Sequence, residues 1–232
     1  MGRSWLGIGV FVLWIAGWPL SGHAAPLVGT VDTFEDGTTQ GWLVALLGAP
    51  HPAPPVNVPT GGPAGADDNF LLLTAIGGGG VGSRLSVLNL AQWAGDYLSA
   101  GITGIAMDVR NLGGSDLSLR LLFENPRVGP PTDMAISADA VFVPAGGDWT
   151  PVFFPIGLGA LTALRGSVAT VLGDTTAIRI VHNPVAGFPP PPVAAQLGVD
   201  NITAVARVPE PSVLWLLAAG VTALRTRSRL SR

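Results

Sequence analysis

Leu117, Leu119, Leu121 and Phe123 occupy every second position of one short segment, with Ser118 and Arg120 between them and Glu124 directly after. A period of two is the pattern of a β-strand that buries one face and wets the other, and no helix reproduces it. Ile105, Met107 and Val109 alternate with Ala106, Asp108 and Arg110 in the same way. Weaker runs cover Phe70 to Thr74, Arg84 to Leu88, Ala140 to Val143, Val152 to Ile156, Ile178 to Val181 and Leu197 to Val205. Between the runs stand Gly, Pro and Asp, and the 32 glycines and 21 prolines of the chain favour turns over long helices. About eight or nine short strands with long connections define an all-β chain whose economical packing is an antiparallel β-sandwich of the jelly-roll kind.

One departure from period two is expected. Leu158, Leu161, Leu164, Val168 and Val171 recur at spacings of three and four, which predicts a short amphipathic helix that plugs one end of the sandwich. The Pro-rich stretches Pro50 to Pro59 and Phe188 to Pro192 read as surface loops, and Gly77 to Gly80 as a hairpin tip. No phosphate cradle is expected at those glycines, since neither Lys-Ser nor Lys-Thr follows them.

Hydrophobicity is heaviest at the two ends. Arg3, an apolar run from Trp5 to Leu20, and then Ser21-Gly22-His23-Ala24-Ala25 make a charged, a hydrophobic and a small-residue region, the order of a secretory leader cleaved after Ala24. At the other end Pro209-Glu210-Pro211 precedes an apolar stretch from Val213 to Leu224, which is followed by Arg225, Arg227, Arg229 and Arg232. The stretch is short for a permanent span of about 17 to 25 residues, and its arginines should remain cytoplasmic. The chain therefore divides into a leader (1–24), a β-domain (25–207) and a hydrophobic tail (208–232).

Charge and chemistry narrow the function. The central domain carries seven arginines and fourteen acids, a formal charge of −7, and the chain contains no lysine, so a nucleic-acid partner is excluded. With no cysteine there is no disulfide, thiolate nucleophile or cysteine-bound metal. His51 and His182 are the only histidines beyond the leader and no Gly-x-Ser-x-Gly elbow occurs, which leaves a nucleophilic hydrolase without its parts. Sugar recognition would need an exposed ring, and Trp42, Trp93, Tyr97 and Trp149 are the candidates, although lone aromatics on alternating strands more often belong to the core. Arg120 and Arg179, on strand faces, should be solvated or paired with a carboxylate.

Two resemblances attach to these residues. The Pro209-Glu210-Pro211 motif, its apolar helix and its terminal arginines resemble the sorting tails of PEP-CTERM proteins of Gram-negative bacteria. That resemblance implies export through the Sec machinery, transient anchoring in the inner membrane by the tail, removal of the tail by exosortase, and delivery to the cell envelope, cell surface or extracellular matrix. Phe34-Glu35-Asp36-Gly37, with Gln40-Gly41-Trp42 after it and Val199-Asp200-Asn201-Ile202 late in the chain, resembles the first and last strands of galactose-binding-like jelly rolls, a group that includes many carbohydrate-binding modules. This second resemblance implies a structural calcium ion held by Glu35 and Asp200, with Asp68 as a further oxygen donor. The phase of alternation also slips between Val199 and Ile202, as at a β-bulge. The leading expectation is a non-catalytic structural or adhesive component of an exopolysaccharide or biofilm matrix. The alternatives are a calcium-stabilised module binding exopolysaccharide and a polysaccharide-active hydrolase or lyase.

Overall fold

The structure is a computed structural model and describes residues 28–44, 51–126 and 129–206. The leader and the tail, with Pro209, Glu210, Pro211, Arg225, Arg227, Arg229 and Arg232, lie outside the described residues. Among those described, the chain forms in order β1 (Val31–Asp32), β2 (Trp42–Leu43), β3 (Val56–Val58), β4 (Phe70–Ile76), β5 (Ser86–Asn89), β6 (Gly104–Asn111), β7 (Leu117–Asn125), β8 (Asp133–Ser137), β9 (Val141–Val143), β10 (Thr150–Pro155), β11 (Leu161–Arg165), α1 (Val168–Gly173), β12 (Ala177–His182) and β13 (Ala194–Val205).

Every strand pair is antiparallel, and the strands make two sheets. The first runs β10-β6-β13-β4-β3, with β1 added against the far end of β13; the second runs β11-β8-β7-β12-β5-β2, with β9 against β7. Sequence neighbours are mostly not sheet neighbours, which is the crossing connectivity of a jelly roll. The inward residues of the two sheets meet in one core, where Leu71, Leu73, Ile105, Val109, Leu117, Leu119, Leu121, Phe123, Leu197 and Val199 are buried. Apolar burial of this kind contributes roughly 1.5–3 kcal/mol for each large side chain.

The alternation on β7 holds on its inner face and fails on its outer one. Arg120 and Glu124, expected in water, are buried at 5% and 4% exposure. The segment after β12 folds back over this face, and Leu122, Met134, Ile136 and Val181 form a second, smaller apolar cluster beneath it. Arg120 donates to the carbonyls of Asn183 (2.9 Å), Ser137 (2.6 Å), Ala138 (2.7 Å) and Pro184 (3.1 Å), and so pins that segment to the sheet.

The expected helix is shorter than its apolar spacing suggests. Leu161 to Arg165 extend as an edge strand on β8, and only Val168–Gly173 coil, burying Val171 and Leu172 in the core. Gly166 separates the two at φ +58, a conformation most side chains avoid. Ser167 then caps the helix, its Oγ accepting from the N–H of Thr170 at 3.0 Å. Within the expected loop from Pro50 to Pro59, Val56–Val58 instead adds an edge strand to β4. The short strands β1 and β8, whose local sequences carry little alternation, also escaped the sequence reading.

Candidate functional site

Three of the four candidate stacking rings belong to the core. Trp42, Trp93 and Tyr97 are 2%, 0% and 0% exposed, so none presents a face to a ligand. The indole N–H groups of Trp42 (2.8 Å) and Trp93 (2.7 Å) both donate to Oδ2 of Asp32, and the side-chain amide of Gln92 reaches Oδ1 at 2.9 Å. Asp32 is itself buried in β1, and desolvation raises its carboxyl above the ordinary 3.8 despite these donors. Tyr97 donates to the carbonyl of Trp93 at 2.8 Å and meets Phe123 edge-on, and burial raises its phenol. These polar aromatic groups form a buried clasp that ties the start of the domain to its middle.

Trp149 is half-buried on the outer face of the first sheet. It lies edge-on to Phe70 at 5.3 Å between centroids and donates to the carbonyl of Gly61 at 2.9 Å. A side chain at Gly198 would begin 2.8 Å from its ring, so the glycine of β13 makes the seat for this indole.

The same outer face carries the acids anticipated for a cation. β13 has its bulge where the phase slips, between Asp200 and Thr203, and Asn201 takes φ +51 there. Asp200 is 1% exposed and its carboxyl is pushed up to about 7, first by burial and then by the charges of Asp68, Asp108 and Glu35. Asp108, which sequence reasoning missed, stands opposite Asp200 in the register of β6 and β13 and accepts from the amide of Asn201 at 2.9 Å. Its outward position was legible in the alternation; its partner strand was not. Hard carboxylate oxygens of this number suit calcium in chemical type. Their arrangement is looser than a cage: among the described residues no three acids or histidines converge closely enough to hold a metal. Glu35 and Asp68 instead accept from the backbone N–H groups of Asn69 (2.9 Å) and Ala64 (2.6 Å).

A groove of about 510 Å³ crosses the outer face of the second sheet. Its floor is formed by Ser86 of β5, Arg179 of β12, Glu124 of β7 and Met134 of β8, which are consecutive strands of that sheet. Loop residues 80–84 and 188–190 line it on one side, and residues 129–131 with Arg165 on the other. Arg179 Nε meets Glu124 Oε2 at 2.8 Å with both side chains largely buried, and the guanidinium lies 5.8 Å from the centroid of the Phe188 ring. Arg179 is thus paired, as its strand-face position predicts, while Phe188 is 40% exposed. The groove went unseen in sequence because its floor comes from four strands and its rims from loops far apart. Arg84 alone spans 106 positions to donate to the carbonyl of Pro190 at 2.6 Å.

No family model matches the sequence, and no curated protein matches it. Solved structures do. A family 11 carbohydrate-binding module from Clostridium thermocellum, in complex with a β-1,3-1,4-mixed-linked tetrasaccharide, is 14% identical with a TM-score of 0.50, over 77% of this chain and 96% of its own. The family 11 module of a cellulosomal cellulase of Clostridium thermocellum gives 10% identity and a TM-score of 0.51, over 80% of this chain and 98% of its own. An exo-β-agarase gives 11% and 0.52, with 82% of this chain matched to 26% of the enzyme. At these identities the likeness establishes the fold: a jelly-roll β-sandwich of the kind found in carbohydrate-binding modules.

Proposed function

We propose that the domain is a non-catalytic polysaccharide-binding module and that its ligand lies in the groove over the second sheet. The observation that carries this reading is the groove itself: a cleft of ligand size, floored by a rigid sheet, with an exposed Phe188 ring beside a guanidinium already held in place by Glu124. Sugars are bound by such pairings of an aromatic ring with planar donors, and pre-fixing the arginine lowers the entropy lost on binding. The modules of the same fold support the reading, one of which is named as a complex with a mixed-linked glucan.

Hydrolysis in this groove is disfavoured by its composition. Glycoside cleavage uses two carboxyl groups about 5 to 9.5 Å apart, and among the described lining residues Glu124 is the single acid, committed to Arg179. The structural or matrix role expected from sequence becomes, on this reading, adhesion through bound polysaccharide. Export by the leader, and exosortase processing of the tail at Pro209 to Pro211, remain part of the proposal on the sequence motifs alone. Among the described residues no helix is long and apolar enough to cross a membrane. Calcium at Glu35, Asp68, Asp108 and Asp200 is proposed as a stabiliser of the fold, since a divalent cation would offset both the burial of the Asp200 carboxylate, the main cause of its rise to about 7, and the smaller repulsion from the three neighbouring acids.

The test is affinity electrophoresis of the purified domain in gels containing β-glucans, xylan, agar and acidic polysaccharides. Retardation by at least one, weakened in Phe188→Ala and unchanged in Trp149→Phe, is the expected result. A domain that migrates identically in every gel refutes the module.

A further inference from the structure

The groove is basic in a domain that is acidic. Of the arginines in the described residues, Arg84, Arg165 and Arg179 all line this one cleft, whereas fourteen acids are spread over the whole central domain. Against them the lining offers Glu124 alone, and Arg179 already neutralises it. Asp133, which starts the strand paired with that of Arg165, stands outside the lining and accepts from the N–H of Ser167 at 3.2 Å and from the Thr132 hydroxyl at 3.0 Å.

Each guanidinium is also anchored by one edge only. Arg84 gives its Nε to the carbonyl of Pro190 (2.6 Å), Arg165 gives one Nη to the carbonyl of Pro131 (3.2 Å), and Arg179 gives its Nε to Glu124 (2.8 Å). Anchoring by neutral carbonyls orients Arg84 and Arg165 without discharging them. The other donors of both forks have no partner among the described residues. A neutral sugar has no use for two uncompensated positive charges. A carboxylate does, because the planar fork meets its two oxygens with parallel hydrogen bonds.

Resting on the proposed sugar-binding reading, we infer that the groove selects a polysaccharide carrying carboxylates, a uronic-acid polymer, over neutral glucans. Arg84 and Arg165, on opposite sides of the cleft, receive acid groups from the chain lying between them, and Phe188 with Arg179 receives a sugar face and its hydroxyls. The general negative charge of the domain sharpens the selection, since a polyanion is repelled everywhere except along this track.

The experiment pairs polygalacturonate, alginate and glucuronoxylan each with its own carboxyl-reduced, neutral product, measured by calorimetry against the purified domain and against Arg84→Gln and Arg165→Gln. The expected result is that at least one acidic polymer binds, that its reduced product binds more weakly, and that each substitution lowers affinity about tenfold, the equivalent of one charge-assisted hydrogen bond. Added salt should weaken wild-type binding more than that of either variant. Binding of a reduced or neutral polymer as tightly as its acidic parent, unaffected by either substitution, would overturn the inference and leave the binding module standing. Failure of all these polymers to bind overturns the inference, while retention of the domain in gels of β-glucan or agar would then still uphold the binding module.

Discussion

Replacing Asp32 by alanine takes away the acceptor shared by the two buried indole N–H groups of Trp42 and Trp93. Gln92 is less exposed to the loss, because its amide also donates to the carbonyl of Gln40 at 2.6 Å. A buried donor left without a partner costs about 1–3 kcal/mol, so two cost about 2–6. Part is returned, since the carboxylate's own desolvation, which raises Asp32 above 3.8, is relieved. The net loss should fall near 2–4 kcal/mol, a large fraction of the roughly 5–15 kcal/mol that holds a domain folded. Asparagine is gentler. Its one oxygen, placed where Oδ2 stands, still accepts from both indoles, and the cost should be about 1 kcal/mol. Urea unfolding followed by tryptophan fluorescence and far-ultraviolet dichroism measures both variants on a common slope. An alanine variant with the wild-type midpoint would mean that the indoles find other acceptors and that the clasp contributes nothing.

Three further outcomes follow from the structure. Asp200 titrates near 7 when folded and near 3.8 in the unfolded chain, so its contribution is fully present below 3.8 and is lost as pH rises through 7. In EDTA the domain should therefore melt higher at pH 5 than at pH 8, Asp200→Asn should remove up to roughly 2–3 kcal/mol of that difference, since part of the contribution is already lost between pH 3.8 and pH 5, and calcium should raise the wild-type melting temperature at pH 8; no response to calcium or EDTA refutes the ion site. His182 is buried with Nδ1 accepting from the N–H of Ser118 at 2.9 Å, and desolvation lowers its pKa below 6.5. Its contribution is complete above 6.5 and lost as pH falls toward the folded value, so proton-detected titration should place the midpoint of this imidazole below 6.5, and a midpoint at or above 6.5 would contradict the geometry. Arg120→Met should cost about 1–3 kcal/mol by leaving buried carbonyls short of a donor, and should release residues 183–190 to limited proteolysis; an uncut, fully stable variant would show that the segment is held by other means.

What the sequence determined by itself is local. Alternation over Ile105–Val109 and Leu117–Phe123 dictates strands because successive side chains on an extended backbone must point to opposite faces, and the slip between Val199 and Ile202 dictates a bulge for the same reason. The antiparallel sandwich followed from the number of such runs and their turns. Tertiary structure decided everything that depends on which strand lies beside which. Pairing of β7 with β12, and the return of residues 183–190 over them, turned Arg120 and Glu124 from solvent-facing residues into buried ones. The edge of β8 drew Leu161–Arg165 into a strand although their spacing suits a helix, since backbone pairing along an open sheet edge outweighs a short amphipathic stripe. Trp42 and Trp93 share Asp32 across 10 and 61 positions, and the groove gathers arginines from β12, from the loop before β5 and from the end of β11. Such convergence has no signature along the chain, because it is fixed by the register of sheets whose neighbours are distant in sequence.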